Sequence, residues 1–284
     1  MTRVRVTPSW LGLREPADAA ARAADLLDEI RRGLPAGRRL VIHDLACGTG
    51  AMARWLAPRL PGQQHWITHD LDADLLAALD AAPRPVAADG SAVTTEIRRR
   101  DVTRLLSDDL ADATLITCSA FLDLLTADEL RHLVCSCAAA RCPVLLTLTV
   151  TGEVRLWPAR PLDATVAAAF NAHQRRTVGG RRLLGPDAAD AAGHAFTEVG
   201  CELVARASPW RLGPAARELT HTWFAGWLSA ACEQNPGLAV ETRSYARQRL
   251  ADAANGRLRV LVQHRDLLVR SAPGEPAMDP LRVR

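Results

Sequence analysis

Two acids bracket a glycine turn in the first third of the chain. Asp44-Leu45-Ala46-Cys47-Gly48-Thr49-Gly50 reads as the end of a buried strand entering a tight turn, where glycine admits positive φ and lets a ligand reach the backbone without meeting a Cβ. Asp70 stands twenty residues beyond Gly50, at the end of the strand-like HWITHD, and a carboxylate there accepts both hydroxyls of a ribose. Gly48-Thr49-Gly50-Ala51-Met52-Ala53 also satisfies the dinucleotide fingerprint, so the turn alone leaves a nicotinamide enzyme open. Asp44 separates the two cases. Just ahead of the glycines it opposes a pyrophosphate and suits a ligand that carries an ammonium group.

Such a turn needs a strand before it and a helix after it. RRLVIHDLA, from Arg38, supplies the strand and Ala51 to Leu60 the helix, stopped by Pro61-Gly62. The pattern then repeats. HWITHD (65–70) precedes the helix ADLLAALDA, TEIRRRD (95–101) makes a third strand, and DATLITCSA (112–120) a fourth, followed by a helix from Ala127 to Ala140. PVLLTLTV (143–150) is the fifth. Strands alternating with helices predict an α/β fold: a doubly wound, mostly parallel sheet covered on both faces. Ahead of it, residues 15 to 32 carry one apolar helical stripe; behind it, 151–185 reads as an insertion after strand five. A helix from Asp187 to Val199 and the strand CELVARAS resume the core. Two helices in 214–254, split at Asn235-Pro236-Gly237, precede a last strand, RLRVLVQH. The expected divisions are thus an N-terminal lid (1–35), a ligand-binding core (36–150), a cap (151–185), a completion of the sheet (186–270) and a loose tail (271–284).

All 35 basic residues are arginine. Without lysine there is no Schiff-base chemistry and no P-loop, and a net charge of +3 with scattered arginines gives no footprint for nucleic acid. Seven cysteines, an odd number set mostly in apolar stretches, suit free thiols in a reducing cytoplasm. Met1 to Val6 lead into no apolar signal core, and no run reaches membrane-spanning length. The expectation is a soluble cytoplasmic protein of undetermined oligomeric state, with no membrane or nucleic-acid partner.

HDLACGTG together with HDLDADLL resembles the class I S-adenosylmethionine-dependent methyltransferases over residues 38 to 150, and the last third could supply the antiparallel strand pair that ends their seven-stranded sheet. The resemblance implies S-adenosyl-L-methionine as cofactor. Asp44, Ala46, Cys47, Gly48, Thr49 and Gly50 would hold its methionine portion, Asp70 with Leu71 its ribose, Asp101 with Val102 its adenine, and Ser119 would line the cleft near the methyl donor.

Methyl transfer from a sulfonium is an in-line displacement, so the acceptor must be held in a dry cleft, with a base only if a proton must leave. His173, in the polar cluster of Asn171, Arg175 and their neighbours, is the best candidate base; His194 and His221 are weaker. Trp157, Asn171, Arg175, Trp210 and Arg211 fall where acceptor walls are expected, and Trp10 with Arg14 to Arg22 could close over the cofactor carboxylate. Cys135, Cys137 and Cys142 have no histidine cluster beside them, so no metal is assigned. Position 118–121, Cys-Ser-Ala-Phe, lacks the Asn/Asp-Pro-Pro-aromatic turn of enzymes that methylate amino groups of bases. The expected activity is methylation of an O or N atom of a small molecule; the alternatives are an NAD(P)-dependent oxidoreductase and a non-catalytic cofactor-binding partner subunit.

Overall fold

A computed structural model describes residues 6–35 and 37–271. Residues 1–5 and the tail from 272 lie outside the described part. Two helices, α1 (Pro8–Ala21) and α2 (Leu26–Gly33), lead into β1 (Leu40–Leu45) and α3 (Ala51–Leu56). There follow β2 (Gln64–Asp70), α4 (Ala73–Ala81), β3 (Val93–Arg99), β4 (Leu115–Ser119), α5 (Ala127–Ala139) and β5 (Val144–Trp157). After β5 come α6 (Leu162–Gln174) and the hairpin of β6 (Thr177–Val178) and β7 (Arg181–Arg182). The described part ends with α7 (Ala188–Glu198), β8 (Cys201–Ala207), β9 (Trp210–Leu212), α8 (Arg217–Gln234), α9 (Leu238–Glu241), α10 (Arg243–Ala254) and β10 (Arg259–Ser271).

The main sheet runs β3-β2-β1-β4-β5-β10-β8, with β9 added beside β10. β1 to β5 pair in parallel, whereas β10 pairs antiparallel with both β5 and β8. The order reverses between β1 and β4, and the crevice of such a sheet opens there. Leu40, Ile42 and Leu45 of β1 are at most 3% exposed, as a strand covered on both faces requires. One face carries α2 and α3, through Leu26, Ile30, Leu56 and Trp66; the other carries α5 and α7, through Leu130, Leu133, Val134 and Phe196. A third apolar cluster joins Val166 of α6, Trp227 of α8, Tyr245 of α10 and Leu212 of β9 above the far ends of β5 and β10.

Local signals set the helix ends. Thr7 accepts a hydrogen bond from Trp10 N at the start of α1, Asp72 accepts from Asp74 N and Leu75 N at α4, and Thr126 with Glu129 forms a capping box on α5. Three elements depart from the sequence expectation. The single helix over 15–32 is two, broken at Arg22 to Asp25, because Ala23 N donates to Asp266 of β10 (2.8 Å) instead of continuing the helix. β5 continues past Val150 to Trp157, and Leu148 in its middle takes a left-handed φ of 56° where its N–H donates to Asp266 (2.7 Å). Ser208-Pro209-Trp210-Arg211, expected as a wall, instead leads into and forms part of β9.

Candidate active site

A cavity of about 950 Å³ opens at the carboxyl ends of β1, β2 and β4. Its inner wall is the glycine turn. Cys47 N donates to the carbonyl of His69 (3.0 Å), Gly50 N to the carbonyl of Cys47 (2.9 Å), and Gly48 N to Asp70 Oδ2 (2.9 Å). Asp72 N donates to the other oxygen of Asp70 (3.0 Å), so this carboxylate fixes both loops and still has acceptor sites for ribose hydroxyls. Gly48 has φ 56°, and a Cβ there would sit 2.9 Å from Leu11 of α1, which lies across the turn. Ala46 and Ala120, both on the cavity wall, also have positive φ, at 53° and 52°. Left-handed conformations at non-glycine residues cost about 1–3 kcal/mol each and concentrate where function needs the shape.

Asp44 is 1% exposed. Its Oδ1 accepts from Thr117 Oγ1 (2.7 Å), whereas Oδ2 has no partner. Burial pushes its pKa up to about 7, against the opposing pull of the Thr117 hydrogen bond and the Arg22 charge. Arg22 is 4% exposed and likewise under-partnered: Nη2 reaches Ser119 Oγ at 3.4 Å, while Nε and Nη1 bond to nothing. Burial lowers its pKa, and Asp18, Asp266 and Asp44 counter that by favouring the cation. Its plane lies over Trp55, 5.3 Å from the ring centre. An unpartnered buried donor or acceptor costs about 1–3 kcal/mol, more when charged. One cavity thus offers an unused anion and an unused cation.

The rest of the wall is arranged differently. Arg14 pairs with Asp18 through Nε and Nη2, at 3.0 to 3.2 Å, and Asp18 also accepts from Trp210 Nε1 (2.9 Å). Arg181 of β7 pairs with Glu129 through Nε (2.8 Å) and Nη2 (2.6 Å), and Nη2 also donates to the carbonyl of Leu124. Leu11, Phe121, Leu124, Val178 and Leu183 add apolar surface to the same wall.

Asp44, Ala46, Cys47, Gly48, Thr49, Asp70, Leu71, Asp101, Val102 and Ser119 all line the cavity, and Gly50 caps α3 immediately behind it. Asp101 Oδ1 accepts from Thr103 N and Oγ1, turning the chain into a short 3-10 helix that begins at Val102. The acceptor-side candidates are not brought together there. His173 bridges Glu233 Oε2 (3.2 Å) and Arg176 Nη1 (3.1 Å), between α6 and α8, and is corrected to a position outside the cavity. Asn171 donates to the carbonyl of Gly152, Arg175 pairs with Asp187, and Trp157 is 44% exposed at the end of β5. Trp210 is buried under Arg14, and Arg211 of β9 points outward. These five also lie off the cavity wall. Among the described residues no histidine or tyrosine lines it; the buried pair His43 and His69, with ring nitrogens 3.1 Å apart, is held neutral by burial within the sheet. Arg181 is the functional candidate the sequence did not single out, and Arg22, named there only within the Arg14 to Arg22 lid, is the one of that stretch with unpartnered nitrogens at the glycine turn.

Strand order, the antiparallel last pair and a glycine turn between two acids define the class I methyltransferase fold. No family model matches the sequence, and comparison with curated proteins gives no match. Among solved structures, a cyclopropane synthase from Mycobacterium tuberculosis is similar over 94% of this chain and 95% of its own, at 12% identity and a TM-score of 0.49. A cyclopropane-fatty-acyl-phospholipid synthase-like protein from Lactobacillus casei is similar over 93% and 94%, at 16% identity and 0.49. An O-methyltransferase family protein from Burkholderia thailandensis is similar over 94% of this chain but 58% of its own, at 14% identity and 0.45. None of these likenesses is close enough to carry a substrate or a reaction to this chain.

Proposed function

We propose that this chain is an S-adenosylmethionine-dependent methyltransferase that acts on an O or N atom of a small molecule. The observation that carries this is the coexistence, in the cavity holding Gly48 and Asp70, of an unpartnered Asp44 oxygen and two unpartnered Arg22 nitrogens. A zwitterionic amino-acid end fits that pair: Asp44 meets the ammonium group and Arg22 the carboxylate. A nicotinamide dinucleotide places a pyrophosphate here instead, against a buried acid. When bound, the cofactor supplies a methyl group activated by a sulfonium. Asp70 would hold the ribose and Asp101 with Val102 the adenine, while Leu11 and Phe121 exclude water from the cleft. With no histidine on the wall, an acceptor proton passes to a cavity carboxylate or leaves unaided.

Seven free cysteines support a cytoplasmic location, and no described helix is long and apolar enough to cross a membrane. Calorimetry with S-adenosylhomocysteine and, separately, with NAD(P)H tests the cofactor: binding of the first and not the second is expected, and the reverse would sink the proposal. Turnover separates an enzyme from a non-catalytic partner subunit. Asp70→Ala is expected to weaken S-adenosylhomocysteine at least about tenfold through loss of ribose hydrogen bonds and of the two loop amides it ties. Unchanged affinity in the same titration would remove Asp70 from the site.

A further inference from the structure

The charges in the cavity are distributed in a way that bears on the acceptor. At the glycine turn, Asp44 and Arg22 keep buried atoms without partners. On the wall formed by α1 and the β6–β7 hairpin, the two arginines are already matched. Arg14 is clamped by Asp18, and Arg181 by Glu129, each through two nitrogens of the fork. A guanidinium committed to a bidentate carboxylate has little left to offer an anionic ligand, and breaking the pair leaves the acid uncompensated. The same cavity is lined by apolar Leu11 of α1, Phe121 and Leu124 after β4, and Val178 and Leu183 from β6 and just past β7.

We infer that the methyl acceptor is an uncharged, largely apolar small molecule, received between α1, Phe121 and the β6–β7 hairpin, and that Glu129 sets this preference by neutralising Arg181. The word acceptor rests on the methyltransferase proposal; the preference for neutral ligands does not. Glu129 is suited to such a test because it also closes the capping box of α5, accepting from Thr126 N (2.9 Å). Glutamine serves that cap equally well. Glu129→Gln therefore keeps an acceptor for the helix start and removes the charge, with one of the two acceptor oxygens, that holds Arg181.

The probes are 2-naphthol and 2-naphthoate, of similar size and shape, one neutral and one anionic near pH 7.5. Each is titrated calorimetrically into the protein, with and without saturating S-adenosylhomocysteine. Wild-type protein is expected to bind the naphthol at least about tenfold more tightly than the naphthoate, a difference of about 1.4 kcal/mol. Glu129→Gln is expected to tighten the naphthoate by about tenfold and leave the naphthol unchanged, while Val178→Trp, which fills the pocket, weakens the naphthol by at least about tenfold. Naphthoate binding as well as naphthol to the wild type, no gain of naphthoate in Glu129→Gln, full naphthol affinity in Val178→Trp, or no saturable binding of either probe would each overturn the inference. Loss of S-adenosylhomocysteine binding with the naphthol preference intact would instead count against the cofactor assignment alone.

Discussion

Arg22→Ala is expected to weaken S-adenosylhomocysteine by at least about thirtyfold while leaving 5′-methylthioadenosine, which has no amino-acid portion, within about twofold. The size follows from the environment. Arg22 is 4% exposed, and truncating one partner of a buried, hydrogen-bonded charge pair costs about 2–5 kcal/mol. The selectivity follows from position: Arg22 reaches Ser119 and sits beside Asp44 at the glycine turn, whereas the ribose and adenine are assigned to Asp70 and Asp101. Arg22→Met, which keeps aliphatic contact with Trp55, should show the same split if charge is what matters. Asp266 acts one step behind. It is 1% exposed and accepts from Ala23 N (2.8 Å), Leu148 N (2.7 Å) and Ser208 Oγ (2.5 Å), so one carboxylate of β10 sets the turn that presents Arg22. Asp266→Asn keeps one acceptor oxygen and should give a smaller loss with the same ligand selectivity. Equal losses for both ligands in the Arg22 variants would show that the residue only supports the fold.

Why the sequence marks Asp44 and Asp70 individually but Arg22 only as one of the lid arginines is a matter of distance along the chain. Asp44, Gly48 and Asp70 announce themselves because strand, turn and acid are contiguous, and the alternation of buried strands with helices places them without further knowledge. Arg22 lies in an apolar-striped stretch that reads as one helix over 15–32. The break that turns its side chain into the cavity is made by Asp266, 243 positions after Ala23, whose N–H it accepts, and no local pattern encodes that bond. The hairpin carrying Arg181 has two residues in each strand, too few for a period, so Gly179-Gly180 signals only a flexible turn. His173 shows the opposite error. Its polar neighbours suggested a site, yet each is occupied locally, Arg175 by Asp187, Asn171 by Gly152 and His173 by Glu233. Composition reveals polar clusters but not whether their members are spent on one another.

Affinity for S-adenosylhomocysteine is expected to fall about tenfold from pH 8 to pH 6 in the wild type and to lose that slope in Asp44→Asn. Burial raises Asp44 to about 7, so below that pH the empty site holds a neutral acid. A ligand ammonium requires the carboxylate, and its binding must then expel the proton. Since the folded, ligand-free group is protonated below about 7 and ionised above it, the apparent affinity is constant at higher pH and drops about tenfold for each unit below the pKa. At pH 7 itself, about half a proton should be released per ligand bound, read from calorimetry in two buffers of different ionisation enthalpy. Asp44→Asn removes both the titration and the attraction, so its binding should be weak and flat across the range. 5′-Methylthioadenosine, with no ammonium to meet Asp44, should show no slope in either protein. A wild-type profile without slope, or a slope that survives in Asp44→Asn, would assign the ammonium contact to another group and detach Asp44 from the cofactor.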